Sequence, residues 1–221
     1  MNHIKYDTFN YYIYKHIPNK VKILDVGCGT GLLGKNLRAE KNVTFIGGIE
    51  KDPRLAETAK SEYDLLLISD LNEIGSLPFE EEYFDVIVCS DVLEHLIDPS
   101  AVLKKLSHYL SKNGFFLISI PNIAFISVRL SLLFGKFNYS PHGGILDENH
   151  LRFFTKKSFI KVLKMADLEW FYIRGYNIVK PKNFILKILG LMFPTLFSLQ
   201  FLFKARKTDR KCRVKRGLLL S

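Results

Sequence analysis

Short apolar runs alternate along this chain with stretches whose apolar residues recur at helical spacing. The first run is Val21 to Val26, and Leu32, Leu33 and Leu37 behind it share one helical face. Val43 to Ile49 follows and ends at Glu50, after which Asp52 and Pro53 give a helix N-cap and first turn. Asp64 to Ile68 and Phe84 to Cys89 are the next two runs. Val102, Leu103, Leu106 and Leu110 mark another amphipathic helix, and Gly114 to Ile120 a fifth run. Near-continuous apolar strands are those of a sheet covered on both faces. Strand–helix alternation in this order predicts a parallel sheet with right-handed crossovers.

The pattern loosens after Ile120. Residues 121–150 contain an apolar piece, Ile123 to Phe134, and a loop with Gly135, Pro141, Gly143 and Gly144. Thr155 then caps a helix whose inward face is Phe159, Val162, Leu163 and Ala166. At the other end, Tyr6, Phe9, Tyr11, Tyr12, Ile13, Tyr14 and Ile17 precede Pro18 and predict an amphipathic helix ahead of the first strand. Phe184 to Phe203 carries one charge, Lys187, and by length alone could span a bilayer. Pro194 and Thr195 divide it, which favours a helical piece up to Met192 and a strand from Leu199 to Ala205.

The chemistry begins where the first run ends. Asp25 stands at the strand's carboxyl end, and Gly27, Gly29 and Gly31 follow at alternate positions, with Cys28 between the first two. Such a loop lets a ligand approach the backbone, and the helix behind it offers amide donors and a positive dipole end. A dinucleotide fingerprint can also be written from Gly29, Gly31 and Gly34, but Asp25 suits a ligand with ammonium and sulfonium charge better than a pyrophosphate. Glu50 lies at the end of the second strand, where a carboxylate could accept ribose hydroxyls.

Asp25 through Gly31 resembles motif I of the class I S-adenosylmethionine-dependent methyltransferases. The segments Leu77-Pro78-Phe79 and Phe84 to Leu96 resemble the stretch joining motifs II and III in the type 11, 12 and 23 group, which includes ubiquinone-biosynthesis O-methyltransferases. The run His150-Leu151-Arg152-Phe153-Phe154-Thr155 is similar to a second signature of that group. The resemblance implies a Rossmann-like, doubly wound, seven-stranded sheet, mostly parallel with an antiparallel last strand. Its sixth strand would be about Leu168 to Tyr176 and its seventh about Leu199 to Ala205. It implies S-adenosylmethionine as cofactor, held by Asp25, Gly27, Cys28, Gly29, Gly31 and Glu50. Asp70 and Leu71 would meet the adenine, and Ser90 and Asp91 would line the pocket. Residues 121–150 would select the acceptor, a small molecule or one linked to a glycan or lipid, with O-methylation expected.

An oxygen or nitrogen acceptor must lose a proton, for which His95 is the first candidate, ahead of His150 and His142. Each could equally cap or pack. Arg152 could hold an acidic acceptor or pin the preceding loop to a carboxylate. No metal site is expected: Cys28, Cys89 and Cys212 lack ligand spacing and read as reduced thiols of a cytoplasmic protein. The first residues lack the apolar run of an export leader.

Charge alters this picture only at the end. The net +10 is concentrated in Lys204 to Arg216, where eight basic residues stand against Asp209, so residues 1–206 form the expected domain and 207–221 a flexible basic tail. A terminal charge argues against a nucleic-acid acceptor and for peripheral contact of the C-terminus with an anionic membrane surface. Two rival classes share the glycine loop: a nicotinamide-dependent oxidoreductase, which would need a second catalytic domain, and a non-catalytic cofactor-binding scaffold, against which His95, His150 and Arg152 count.

Overall fold

A computed structural model of the protein describes residues 9–141, 143–177, 188–189 and 192–208. His142, Cys212, the basic tail from residue 209 and part of the apolar 184–203 stretch lie outside them. So do the residues before Phe9.

Seven strands form one sheet in the order β3-β2-β1-β4-β5-β7-β6. They are β1 (Lys22–Val26), β2 (Phe45–Glu50), β3 (Leu65–Ile68), β4 (Phe84–Ser90), β5 (Leu110–Pro121), β6 (Leu168–Tyr176) and β7 (Gln200–Lys207). The first five pair in parallel, and β7 inserts antiparallel between β5 and β6. The helices are α1 (Tyr11–Lys15), α2 (Leu32–Glu40), α3 (Pro53–Ala59), α4 (Pro99–Ser107), α5 (Ile126–Leu133), α6 (Lys156–Met165) and the short α7 (Pro194–Phe197). The doubly wound architecture is as the sequence predicts.

Strand alternation divides the core into two layers. Leu24, Val26, Ile118 and Phe203 face α4 and α6, whose Leu103, Leu106, Phe159 and Leu163 are buried against them. Ile23, Val88, Leu117 and Leu202 face the other way, toward Ile13 of α1, Leu37 of α2 and Ala59 of α3. The predicted caps form. Asp52 accepts from the Arg54 amide at the start of α3, and Thr155 and Ser158 make a reciprocal capping box on α6.

Several boundaries differ from expectation. Among the described residues the N-terminal helix is confined to Tyr11–Lys15, because Asn10 accepts from the Ile13 amide and starts it there. β3 is an edge strand, with Leu65 and Ile68 exposed. β7 runs on to Lys207, which places that residue in the sheet and not in the tail; its ammonium reaches Glu82 Oε1 at 3.1 Å and the Leu110 carbonyl at 2.7 Å. No helix among the described residues is long and apolar enough to cross a membrane.

The insertion of β7 between β5 and β6 makes a truncation test. Deleting residues 209–221 should leave the thermal midpoint within about 2 °C of the full chain, because the sheet is intact. Deletion from Gln200 onward strips both β5 and β6 of a neighbour and should abolish cooperative unfolding by circular dichroism.

Candidate functional site

Strand order reverses between β1 and β4, and the crevice at their carboxyl ends is where an open α/β sheet takes its ligand. The glycine loop crosses this point. Gly27, Gly29 and Gly31 have φ of +70°, +57° and +84°, the left-handed region that side chains avoid. A Cβ on Gly27 would lie 2.5 Å from a Val92 methyl, and one on Gly31 2.9 Å from the Ala59 backbone. The loop is held by the end of β2. The Ile49 carbonyl accepts from the amides of Gly27 (2.8 Å) and Cys28 (3.1 Å), and Glu50 Oε2 accepts from the Gly29 amide at 2.9 Å. Glu50 Oε1 takes the amides of Lys51 and Asp52. Glu50 therefore fastens the loop from the position predicted for ribose contact.

Asp25 is buried beneath the loop, 3% exposed, and accepts from the Tyr63 hydroxyl at 2.7 Å. Burial, with the Glu50 charge nearby, pushes its carboxyl up to about 6, against the opposing effect of the Tyr63 bond. Tyr63 is a site residue that sequence reasoning missed, since it precedes β3 with no motif around it. Cys28 and Cys89 are buried free thiols whose pKa burial raises, so neither is activated.

These residues fit a cationic nucleoside cofactor. The carboxyl groups of Asp25 and Glu50 flank the loop, α2 begins at Gly31 with no side-chain cap, and the buried Thr30 hydroxyl has no hydrogen-bond partner. Asp70 follows β3 as predicted. Its Oδ1 is engaged by the Asn72 amide and side chain, the turn-capping role open to it from sequence, while the adjoining Leu71 is buried.

On the other side of β4 lies a polar cluster. Asp91, with φ of +54°, accepts from Gln200 Nε2 at 2.8 Å, and its amide donates to Ser119 Oγ at 3.0 Å. Asn10 Nδ2 reaches Tyr176 Oη (3.0 Å) and the side chains of Ser90, Asp91 and Ser119. Burial raises the Asp91 carboxyl despite four such bonds. Asn10, Ser119, Tyr176 and Gln200 come from four separate elements; only Asn10 carried a signal, as an N-cap residue ahead of an aromatic run.

The two later signatures meet in space. The amides of Leu151 and Arg152 both donate to the Glu94 carbonyl at 2.9 Å. His95 Nδ1 lies 2.9 Å from the Asn149 carbonyl and His150 Nδ1 3.0 Å from that of Ile145. A carbonyl only accepts, so in each contact Nδ1 is the donor. The rings stand 4.8 Å apart, edge to face. Glu94 is 1% exposed; neither carboxyl oxygen is hydrogen-bonded, and Oε1 lies 3.9 Å from His150 Nε2. Burial first, then the Asp91 charge, raises its pKa well above the ordinary range. Among the described residues, Glu94, His95 and His150 also offer one ligand atom each within 4.8 Å of one another, a grouping that sequence spacing did not disclose. Arg152 donates twice to the Ile97 carbonyl, a backbone oxygen and not the carboxylate expected for a loop-pinning arginine.

The raised Asp25 carboxyl has a measurable consequence. The folded chain holds this proton more tightly than the unfolded one, so its contribution to stability is present below about pH 4 and lost as pH rises through about 6. Asp25→Asn keeps an acceptor for Tyr63 and removes the buried charge. The variant's unfolding free energy should match wild type near pH 4 and exceed it by about 3 kcal/mol at pH 7. Urea titrations across that range check this.

The methyltransferase-domain family (type 23) matches residues 9–171. A ubiquinone biosynthesis O-methyltransferase of Neisseria meningitidis serogroup C is 30% identical over 111 residues, 46% of this chain and 44% of that protein. One from Rickettsia felis is 25% identical over 203 residues, 88% of this chain and 78% of the relative. The alignment thus spans less than half the length of the Neisseria protein. Among solved structures, an S-adenosylmethionine-dependent methyltransferase of Thermotoga maritima, described as a possible histamine N-methyltransferase, has a TM-score of 0.63 at 18% identity, covering 89% of this chain and 86% of its own. A Mesorhizobium loti S-adenosylmethionine-dependent methyltransferase gives 0.62 at 14% identity, covering 89% and 96%. These two likenesses are of fold. With the family model matched over residues 9–171, most of the chain, the protein belongs to the class I S-adenosylmethionine-dependent methyltransferases of the type 11, 12 and 23 group.

Proposed function

We propose that the protein transfers a methyl group from S-adenosylmethionine to an oxygen of a small or lipid-linked acceptor, with the acceptor lying between the glycine loop and the His95–His150 pair. The observation that carries this reading is the meeting of the two later signatures, which brings the His95 and His150 rings to 4.8 Å beside the end of β4. Each Nδ1 is spent on a backbone carbonyl, so the proton-accepting atom is Nε2. The relatives named as ubiquinone biosynthesis O-methyltransferases support oxygen as the atom methylated.

The cofactor, when bound, supplies an electrophilic methyl on a sulfonium, which leaves as a neutral thioether. The chain's own residues bind, orient and deprotonate. Asp25 and Glu50 set the negative potential and loop shape that receive a cationic nucleoside, and Asp70 and Leu71 stand at the β3 end for the adenine. Ser90 and Asp91 line the crevice beyond β4. His95 Nε2 takes the acceptor's hydroxyl proton as the O–CH3 bond forms and the methyl–sulfur bond breaks; His150, edge to face with His95 at 4.8 Å and beside Glu94, holds His95 in place. Residues 121–150 select the acceptor. A second reading gives Glu94, His95 and His150 to a divalent cation that orients the acceptor oxygen, favoured by the unbonded Glu94 carboxyl.

Titration calorimetry tests the cofactor half. S-adenosylmethionine and its demethylated product should bind and NAD should not, and Glu50→Ala, which releases the Gly29 amide, should weaken S-adenosylmethionine binding about tenfold or more. Binding of NAD in preference would overturn the reading.

His95→Ala tests the acceptor half, assayed with catechols and polyprenylated phenols. Turnover should fall about a hundredfold or more with cofactor affinity unchanged. Activity abolished by a chelator and restored by a divalent cation would move His95 from base to ligand, and undiminished turnover would remove it from the chemistry.

A further inference from the structure

Hydrogen bonds run from the turn after β3 to the histidine pair through one exposed side chain. Asn72 lies two residues past Asp70 in that turn. Its amide and its Nδ2 both donate to Asp70 Oδ1, at 2.8 and 3.0 Å. Its Oδ1 accepts from the Ile97 amide at 2.9 Å. The Ile97 carbonyl in turn accepts from Arg152 Nε at 3.1 Å and from a terminal guanidinium nitrogen at 2.6 Å. The Arg152 amide then donates to the Glu94 carbonyl, which closes the path between the segments that carry His95 and His150.

Packing leaves this corner to those bonds. Leu93 and Leu96 root the turn after β4 in the core, but Ile97 beyond them is 62% exposed. A cavity of about 140 Å3 opens between the turn after β3 and the start of α4, lined by Asn72, Ile97, Asp98, Ala101, Val102 and Lys105. Asp98 is spent on the α4 cap, accepting from the amides of Ser100 and Ala101, and Lys105 reaches the Ile74 carbonyl. A side-chain amide offers a donor and an acceptor on two atoms of one rigid plane, which is what Asp70 and the Ile97 amide require. Aspartate in its place would set a second charge against Asp70, and an apolar residue would meet neither group.

We propose that Asn72 is a positioning residue for methyl transfer. With one atom of its amide on Asp70 and the other on Ile97, it fixes the histidine segments relative to the adenine end of the cofactor. A cofactor seated at Asp70 thereby sets where His95 meets the acceptor. The inference rests on the proposed function, which gives Asp70 to the adenine and the histidine pair to the acceptor. Asn72 itself touches neither ligand; it acts through Asp70 and Arg152.

The full chain, Asn72→Ala, Arg152→Met and the double variant test it, with catechols and polyprenylated phenols as acceptor probes. Asn72→Ala should keep its thermal midpoint within about 2 °C and its calorimetric affinity for S-adenosylmethionine within about threefold, while turnover falls about tenfold. The double variant should be no slower than the slower single one, because both substitutions cut the same path. A second readout needs no acceptor. In histidine-labelled full chain, the His95 and His150 ring signals should move when the demethylated product of S-adenosylmethionine is added, and should stay in place in saturated Asn72→Ala. Undiminished turnover in Asn72→Ala, losses that multiply in the double variant, or equal movement of the ring signals in both proteins would overturn the inference. So would affinity and turnover that fall together, which would make Asn72 only a support of the adenine site. Failure of the unaltered chain to bind S-adenosylmethionine would instead overturn the proposed function, and this inference with it.

Discussion

The loop after β1 has no secondary structure of its own to satisfy its amides, and three left-handed glycines leave it only Cys28 and Thr30 with which to pack. It is shaped because the end of β2 supplies acceptors at the right height: one carbonyl for Gly27 and Cys28, one carboxylate oxygen for Gly29. That in turn depends on the parallel register of β1 against β2, in which Val26 lies opposite Ile49. A shift of one residue would turn Glu50 to the wrong face and leave buried donors unmet, a cost of about 1–3 kcal/mol for each. The site therefore requires the sheet, and the sheet's inner strands require apolar cover on both faces.

Around that loop the molecule gathers buried carboxyl groups. Asp25, Asp91 and Glu94 all sit at or near the carboxyl ends of β1 and β4, and burial raises all three. A fold seeking only stability would not keep them there, since each ionised form is disfavoured where it stands. Asp25 is compensated by one hydroxyl and Asp91 by a web of amide and hydroxyl donors, whereas Glu94 has neither oxygen bonded. The carboxyl left without a hydrogen bond is the one beside the histidine pair.

The same economy separates the core from the acceptor side. Strands β4, β5 and β7 are apolar on both faces and fix the site's floor. Above them, α5 buries only Val128, and Leu130, Leu132, Leu133 and Phe134 are exposed.

The sequence by itself determined the alternation of strands and helices, the glycine loop and the carboxylates at strand ends. These are local: a period of two or of 3.6, or a spacing within one βα unit. It also located the caps at Asp52 and Thr155, whose hydrogen bonds span two or three residues. Only the tertiary structure decided that Glu50 fastens the loop and that Tyr63 bonds Asp25. The same holds for Asn10 and Gln200, which meet at Asp91 from opposite ends of the chain, and for Glu94, which joins His95 to His150 across more than fifty residues. Such pairings depend on strand order and on which layer a side chain enters. No periodicity carries that information, because it arises only when the strands take their places in the sheet.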